Sequence, residues 1–189
     1  MQSPNENLIK SLIELIGDDP SRDGLLDTPS RVIRSYKELF SGYKQNPEDL
    51  ITTFDNEEKY DEVVLSANIS VFSTCEHHLL PFYGIAHVAY LPDQEWIIGI
   101  SKLARLVEIF SRRLQVQERL CQQITKALMT QFKARGAACI IKATHLCQVA
   151  RGVKKEDAIM VTSSLEGVFR HSPSARSELF DLIKLAGGK

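Results

Sequence analysis

The spacing of hydrophobic positions predicts two helices near the N-terminus. Apolar residues recur every three or four positions from Leu8 to Ile16, and the pattern stops at Gly17, which is typical of a helix that ends on a glycine cap. A second helical pattern begins at Thr28, where a hydroxyl side chain is followed by a proline in the first turn. We therefore predict that residues 1–60 form an N-terminal helical segment.

The rest of the chain shows strand and helix patterns in separate blocks. Apolar and β-branched residues dominate 62–73 and 85–91, and a turn with Pro81 lies between them, which predicts a β-hairpin. The later patterns are helices over 103–110 and 116–128, strands at 137–143 and 159–163, and a short terminal helix. This grouping indicates an α+β fold, with helices packed on one face of an antiparallel sheet. We assign residues 61–189 to this region, within one compact domain.

Composition and charge narrow the range of partners. The 189 residues are 43% hydrophobic, which suits one domain with a sizeable core, and the formal net charge of -1 gives no general attraction to nucleic acid or anionic membranes. No apolar run approaches the roughly 20 residues of a membrane span, and the first residues lack a signal-peptide pattern. We therefore expect a cytoplasmic protein with reduced cysteines and with neither nucleic-acid nor membrane partners.

Three separated residues supply the donors of a metal site. Cys75 and His78 lie in one short run and Cys147 lies much later, and thiolate and imidazole are ligands that hold zinc tetrahedrally. Three protein ligands leave a fourth position for water, whose pKa a catalytic zinc lowers towards neutrality. His77 and His145 remain as spare histidines, and imidazole suits proton transfer near pH 7. The sequence therefore predicts a catalytic zinc centre with acid–base histidines.

The spacing of these residues predicts where the centre lies. His145 and Cys147 are two positions apart, so on a strand both side chains would point to the same face. Cys75 and His78 are three positions apart and cannot share a strand face, so they need a turn or a helical bend. We therefore expect the metal at the ends of strands.

Four sequence blocks resemble the zinc-dependent GTP cyclohydrolase I family. The blocks are STCEHHLLPF at 73–82, GISKLAR at 99–105, QVQERL at 115–120, and HLC at 145–147 with Ala-Arg-Gly at 150–152. They follow the family's order and approximate spacing, and the resemblance runs over about residues 19–180. It implies the α+β tunnelling fold (T-fold) over the catalytic region, preceded by N-terminal helices. It also implies a homodecamer whose active sites lie between subunits.

The resemblance also implies an activity and a set of site residues. Members of the family are hydrolases that convert GTP to 7,8-dihydroneopterin triphosphate and formate, the first step of tetrahydrofolate and pterin biosynthesis. By this analogy Zn2+ is the cofactor, held by Cys75, His78 and Cys147. The remaining implied residues are His77, His145 and Ser101 for catalysis, Glu118 and Gln117 for guanine, and Lys102, Arg105, Arg151, Arg31 and Arg34 for the triphosphate, the last two from another subunit. Arg34 departs from the family pattern, in which lysine is common at that position.

Other interpretations stay open for the chain as a whole. Another tunnelling-fold pterin enzyme would use a different histidine set, or a cysteine without this trio of ligands. A zinc nucleobase deaminase would carry H-x-E and P-C-x-x-C motifs, which this sequence lacks. A zinc-stabilised ring scaffold could bind a nucleotide without converting it, but it would need neither an open metal position nor two spare histidines.

Single residues also have structural alternatives. Ser101 follows a glycine and precedes a helical pattern, so its hydroxyl could cap that helix. Glu118 and Gln117 lie off the apolar stripe of their helix, where solvated polar residues are the usual case. Cys121 and Cys139 lie in apolar or amphipathic stretches without a metal-ligand neighbour, which favours thiols buried in the core.

Overall fold

The N-terminal part of the chain folds as a unit of its own, Met1–Ser41, in a computed structural model that describes residues 4–50 and 53–187. Helix α1 (Pro4–Ile16) packs on helix α2 (Thr28–Leu39), and a 3-10 turn at Asp23–Leu25 lies between them. Helix α1 ends where Gly17 takes a φ of +99°, which glycine adopts without steric cost. Both predicted helices are confirmed.

The remaining residues, Gly42–Lys189, form a second unit built on a five-stranded sheet. The regular elements that follow α2 in chain order are 3-10 turns at Ser41–Lys44 and Pro47–Leu50, β1 (Thr53–Asp55), β2 (Val64–Cys75), β3 (Pro81–Leu91), β4 (Trp96–Ile98), α3 (Ile100–Ser111), β5 (Leu114–Gln115), α4 (Gln117–Thr130), β6 (Gly136–His145), α5 (Leu146–Val149), β7 (Met160–Gly167), α6 (Val168–His171) and α7 (Pro173–Leu185). The predicted segments 1–60 and 61–189 include positions 1–3, 51–52 and 188–189, which lie outside the described residues. Their boundary stays a prediction.

The order of strands in the sheet is β5-β2-β3-β6-β7. The long pairs are antiparallel, and only the two-residue strand β5 runs parallel to its neighbour β2. Strands β1 and β4 form a separate antiparallel pair. The predicted hairpin is the pair β2 and β3, and helices α3 and α4 follow it before β6, so the predicted order of strands, helices and strands is confirmed.

The two faces of the sheet pack against different helices. On β3, Val88 and Tyr90 lie in the main core with residues of α3 and α4. Their neighbours Ala89 and Leu91 point to the opposite face, where a smaller core includes residues of α6 and α7. The expected α+β class, an antiparallel sheet backed by helices, is confirmed, and the C-terminal helices add a partial layer on the second face.

The central strands approach closely just before the end that carries the candidate site. A Cβ on Gly84 would lie 2.0 Å from the carbonyl oxygen of Lys142, so glycine alone fits that position on β3. Two residues earlier, Phe82 is paired with His145 of β6 in the strand register. This pairing brings His145, the last residue of β6, to the end of the sheet at which β2 also ends.

Within residues 4–50 and 53–187, no helix combines the length and the apolar composition that crossing a bilayer demands.

Candidate active site

The predicted metal ligands lie together in the structure. Cys75 is the last residue of β2, His78 lies in the turn that follows, and Cys147 lies in the first turn of α5. Their ligand atoms are all within 4.8 Å of one another, and the Sγ of Cys75 is 3.8 Å from the Nδ1 of His78. Cys75 is buried, Cys147 is half-buried and His78 is exposed. The three side chains could therefore hold a metal ion that remains accessible from solvent.

The turn after β2 explains how Cys75 and His78 meet. The N–H of Cys75 donates to the carbonyl of Leu80 (2.8 Å), and the N–H of Leu79 donates back to the carbonyl of Cys75 (2.9 Å). Leu79 takes a φ of +54°, a left-handed conformation that reverses the chain. The sequence interpretation that this three-residue spacing requires a turn is confirmed.

Cys147 reaches the cluster from a helix. We expected His145 and Cys147 on one strand face, but this was wrong, because β6 ends at His145 and α5 begins at Leu146. The N–H of Ala150 donates to the carbonyl of Leu146 (2.8 Å), which closes a helical turn in place of further pairing along the strand. The helical turn, not a shared strand face, places the thiol beside the end of β2.

Burial and Arg151 set the electrostatic environment of the candidate metal ligands. Burial raises the pKa of the Cys147 thiol, the adjacent Cys75 thiol raises it further, and Arg151 opposes both effects. A bound cation would reverse this balance, because metal ligation deprotonates a thiol. On the other side of the cluster, Arg151 donates to the Nε2 of His78 at 3.0 Å. His78 therefore presents Nδ1 to Cys75 and Nε2 to the guanidinium.

His77 lies on the solvent side of the same turn. Its side chain is 65% exposed, and its Nε2 is 3.9 Å from a carboxylate oxygen of Glu76. Arg119 of α4 binds both oxygens of that carboxylate, one of them at 2.8 Å, and this hydrogen bonding lowers the pKa of Glu76. The ion pair ties the histidine-bearing turn to the first turn of α4. Sequence reasoning missed this pair, since nothing in the spacing of Glu76 and Arg119 signals contact.

His145 is held on two sides. Its ring stacks on Phe82, with ring centroids 4.5 Å apart and an angle of 7° between the planes. Its Nε2 lies 2.8 Å from the Oε1 of Gln117, a residue that is only 1% exposed. Burial lowers the pKa of His145, and the negative charge of Glu118 opposes this shift. The role of Phe82 could not be predicted from local sequence patterns, because its contact with His145 depends on the register of β3 and β6.

Helix α4 begins with three polar residues that point in different directions. Gln117 is buried, whereas Glu118 and Arg119 are exposed, because successive helix residues are rotated by about 100°. The prediction of a solvated position therefore fits Glu118 but not Gln117. Glu118 remains available to a ligand, and its carboxylate lies near enough to His145 to influence the pKa of that histidine.

The cations and the hydroxyl expected on α3 lie on its surface. Ser101 and Arg105 are exposed and Lys102 is half-buried. The N-cap of α3 is Gly99, so Ser101 is inside the first turn and the structural alternative of a serine cap was wrong. Among residues 4–50 and 53–187, no hydrogen bond or ion pair joins these three side chains to the metal cluster.

The two arginines expected from another subunit lie on α2 of the first unit. Arg31 and Arg34 are exposed, and they contact Asp27 at 3.2 Å and the hydroxyl of Ser30 at 3.3 Å, respectively. The ion pair with Asp27 supplies the negative charge that a cation in the first turn of a helix needs, so it requires no external anion. Both guanidinium groups keep donors free for a ligand.

Comparison with known proteins shows a match along almost the whole chain. Residues 5–184 match the model of the family described as GTP cyclohydrolase I. The chain is 52% identical over 179 residues to GTP cyclohydrolase 1 of Chlorobium chlorochromatii. This alignment covers 95% of the present chain and 80% of that protein. It is 46% identical to GTP cyclohydrolase 1 of Wolinella succinogenes, with 95% of each chain covered.

A solved structure was also found to be similar. It is the archaeosine synthase QueF-Like in the apo form, at 13% sequence identity and a TM-score of 0.43. The similarity covers 56% of this chain and 94% of that chain.

Proposed function

Since the chain belongs to the GTP cyclohydrolase I family, we propose that it hydrolyses and rearranges GTP to 7,8-dihydroneopterin triphosphate and formate. The observation that carries this proposal is the cluster of Cys75, His78 and Cys147, whose ligand atoms lie within 4.8 Å of one another. His145 lies two residues from one of these ligands, and His77 lies next to another. A metal centre flanked by histidines suits a reaction that opens a ring by hydrolysis.

Zinc is the proposed metal. Two thiolates and one imidazole form a three-ligand set of the kind found in catalytic zinc sites, and the exposure of His78 leaves one side of the cluster open. When bound, the ion would supply a water that is reactive near neutral pH and would polarise the bond under attack. The contribution of the chain is to hold the three donors at the end of β2 and in α5.

The two spare histidines have different proposed tasks. His145, fixed by Phe82 and Gln117, moves protons at the reacting atoms, where orientation matters most. His77, which is mostly exposed, exchanges protons between the site and solvent. Ser101 on α3 would contact the ribose, whose rearrangement also needs proton transfers.

The remaining site residues would bind the nucleotide. The exposed carboxylate of Glu118 would accept hydrogen bonds from the ring N–H and the amino group of guanine, a donor pair that adenine lacks. The triphosphate would be bound by the side chains of Lys102, Arg105 and Arg151, joined by Arg31 and Arg34 of a neighbouring subunit. Guanidinium groups bind phosphate oxygens bidentately, so clustered arginines suit this ligand.

The proposed assembly is a homodecamer in the cytoplasm with active sites between subunits. Strand β7 lies at one edge of the sheet, and its Val161 is 63% exposed, so it could pair with a second copy of the chain. All four cysteines are free thiols, which agrees with a reducing compartment.

The test is to incubate purified, zinc-loaded protein with GTP and to follow formate and the mass of dihydroneopterin triphosphate together. The wild type should release both products, and His77→Ala should release neither at a comparable rate. His171→Ala is the matched control, because His171 is also exposed but lies in α6. GTP that binds but stays unchanged would support a nucleotide-binding scaffold instead, and formate without the pterin would mean that only ring opening occurs.

A further inference from the structure

Gln117 is a buried side chain whose hydrogen-bonding groups are all used inside the protein. It is 1% exposed, and its Nε2 donates to the carbonyl of Ile141 at 2.9 Å and to the carbonyl of Met160 at 3.1 Å. The hydroxyl of Thr162 lies 3.0 Å from the same nitrogen. Its Oε1 lies 2.8 Å from the Nε2 of His145. Both polar atoms of this buried amide are therefore engaged inside the protein.

These contacts fix which way the amide points. Carbonyl oxygens only accept hydrogen bonds, so the side of Gln117 that faces Ile141 and Met160 has to be the NH2 group. The Oε1 therefore faces His145, and because that oxygen only accepts, the Nε2 of His145 has to donate. A neutral imidazole carries one hydrogen, so its Nδ1 is then the bare nitrogen with a free lone pair.

We propose that Gln117 is a positioning residue that holds His145 in the tautomer protonated at Nε2, so that Nδ1 is the nitrogen that exchanges protons with the substrate. This proposal rests on the proposed function of His145 as a proton-transfer group. Phe82 sets the plane of the ring by stacking, and Gln117 sets which nitrogen carries the hydrogen. Two carbonyls of β6 and β7 in turn anchor Gln117, so the sheet itself orients the histidine.

This role differs from the guanine contact that the family resemblance suggested for Gln117. For the Gln117 side chain to bind guanine, the buried amide would have to break bonds to Ile141, Met160 or His145, and leaving a buried polar group unpaired is unfavourable. The neighbouring Glu118 is exposed, and none of these buried hydrogen bonds involves its carboxylate. Of these two side chains, Glu118 is therefore the one that recognises guanine, and Gln117 acts through His145.

The direct test is the tautomer of His145. Protonated and bare imidazole nitrogens have well-separated 15N shifts, so solid-state NMR of zinc-loaded, 15N-histidine-labelled protein reports the state of each ring, with His145→Asn used for assignment. The wild type should show Nε2 protonated and Nδ1 bare. Gln117→Met, which keeps the side-chain length but removes both polar atoms, should give a mixture of the two tautomers. A wild-type ring protonated at Nδ1, or an unchanged signal in Gln117→Met, would overturn the proposal.

Gln115→Met is the matched control for loss of a buried amide. Gln115 is also 1% exposed, and its Nε2 donates to the carbonyl of Phe110 at 2.9 Å. Its own Oε1 has no hydrogen-bond partner among the described residues, so it orients no histidine. This variant should lower the melting temperature much as Gln117→Met does, but it should leave the 15N signals of His145 unchanged. A shift of those signals in Gln115→Met would mean that any buried amide loss disturbs the ring, and this would count against a specific role for Gln117.

Kinetics separate positioning from substrate contact. Gln117→Met should lower kcat by roughly 10- to 100-fold, within the about 10²–10⁴-fold that a general acid–base supplies, with little change in the KM for GTP. In a His145→Ala background the same substitution should have no further effect, because its target is absent. A raised KM with unchanged kcat, or losses that multiply in the double variant, would show that Gln117 contacts the substrate. If the wild type fails to convert GTP, the proposed function fails, but the NMR result still decides the tautomer.

Discussion

Two parts of the proposed active site differ in how firmly this chain holds them. At the reaction centre, contacts within the fold fix the side chains, as in the stacking of His145 on Phe82 and its bond to Gln117. The cations proposed for the triphosphate are mostly exposed. Among residues 4–50 and 53–187, the side-chain hydrogen bonds of Arg31 and Arg34 are to Asp27 and Ser30, each four positions earlier in the chain. Proton transfer needs atoms at fixed distances, whereas charge attraction tolerates mobile side chains. The chain therefore orders His145 more tightly than it orders Arg31 and Arg34.

The largest effect is expected from removing a metal ligand. In Cys147→Ser the zinc content should fall, and turnover should drop at least about 10³-fold, because a metal ion supplies several kcal/mol of transition-state stabilisation. Metal analysis together with formate release measures both quantities. Cys139→Ala, which alters a fully buried thiol in the main core, should keep its zinc and its turnover. A Cys147→Ser protein that retains zinc and activity would exclude this cluster as the metal centre.

The same variant separates a catalytic zinc from a structural one. A structural zinc contributes to the free energy of folding, so its loss unfolds the protein, whereas loss of a catalytic ion leaves most of that free energy in place. We expect Cys147→Ser, and wild type treated with a chelator, to melt close to the zinc-loaded wild type. A large fall in melting temperature would favour the scaffold interpretation.

The next effect concerns the two histidines and compares a fixed ring with an exposed one. His145→Ala and His77→Ala should each lose about 10²–10⁴-fold in kcat, the range for general acid–base catalysis. Added imidazole should restore part of the activity of His77→Ala, whose position is open to solvent. It should restore less in His145→Ala, because an imidazole from solution would have to take the orientation set by Phe82 and Gln117. Equal rescue in both variants would contradict the proposed difference between the two rings.

A smaller effect is expected at the phosphate-binding cations. Arg105→Ala should raise the KM for GTP roughly 10- to 100-fold, since hydrogen bonds to charged groups contribute about 1.5–3 kcal/mol. It should leave kcat within about a factor of two. Steady-state kinetics at several salt concentrations would show a weaker salt dependence in the variant. Arg170→Ala, an exposed arginine on α6, is the control and should match the wild type. A fall in kcat without a change in KM would place Arg105 in the chemistry instead.

The smallest effect concerns a surface ion pair that includes none of the proposed site residues. Hydrogen bonds from Arg22 lower the pKa of Asp18 from 3.8 to about 2. Because the folded-state pKa is depressed, the pair adds stability above about pH 4, and this contribution disappears as the pH falls through about 2. In Arg22→Gln the pKa should return towards 3.8, as measured by NMR titration of the Asp18 carboxyl, with GTP turnover unchanged. A pKa that stays near 2 in the variant would show that the backbone N–H of Asp19 is the stronger cause.

Local sequence patterns predicted most of the fold and the donors of the site. The amphipathic spacing of α3 and α4 and the hairpin of β2 and β3 could be predicted because a period of 3.6 or 2 residues is a local property. Cys75 and His78 could be assigned for a similar reason, since ligand chemistry depends on residue type and a three-residue spacing implies a turn.

Other features could not be predicted because they depend on contacts between distant parts of the chain. The step from β6 into α5, which places Cys147, depends on a helical hydrogen bond that competes with strand pairing. The partner of Glu76 lies 43 residues away in sequence, on α4, and no local pattern indicates it.

The first turn of α4 shows both what a local sequence pattern predicts and what depends on contacts between distant parts of the chain. The sequence by itself determined that Gln117, Glu118 and Arg119 are polar and lie near the start of a predicted helix over 116–128. In the structure this helix begins one residue later, after the extended Val116. Only the tertiary structure decided that the first is buried under β6 and β7, the second is exposed to a ligand and the third pairs with the metal-binding turn. The reason is geometric, because each step along a helix turns the side chain by about 100°. How the helix packs against the sheet then decides which of these side chains contacts a histidine, which faces solvent and which contacts a carboxylate.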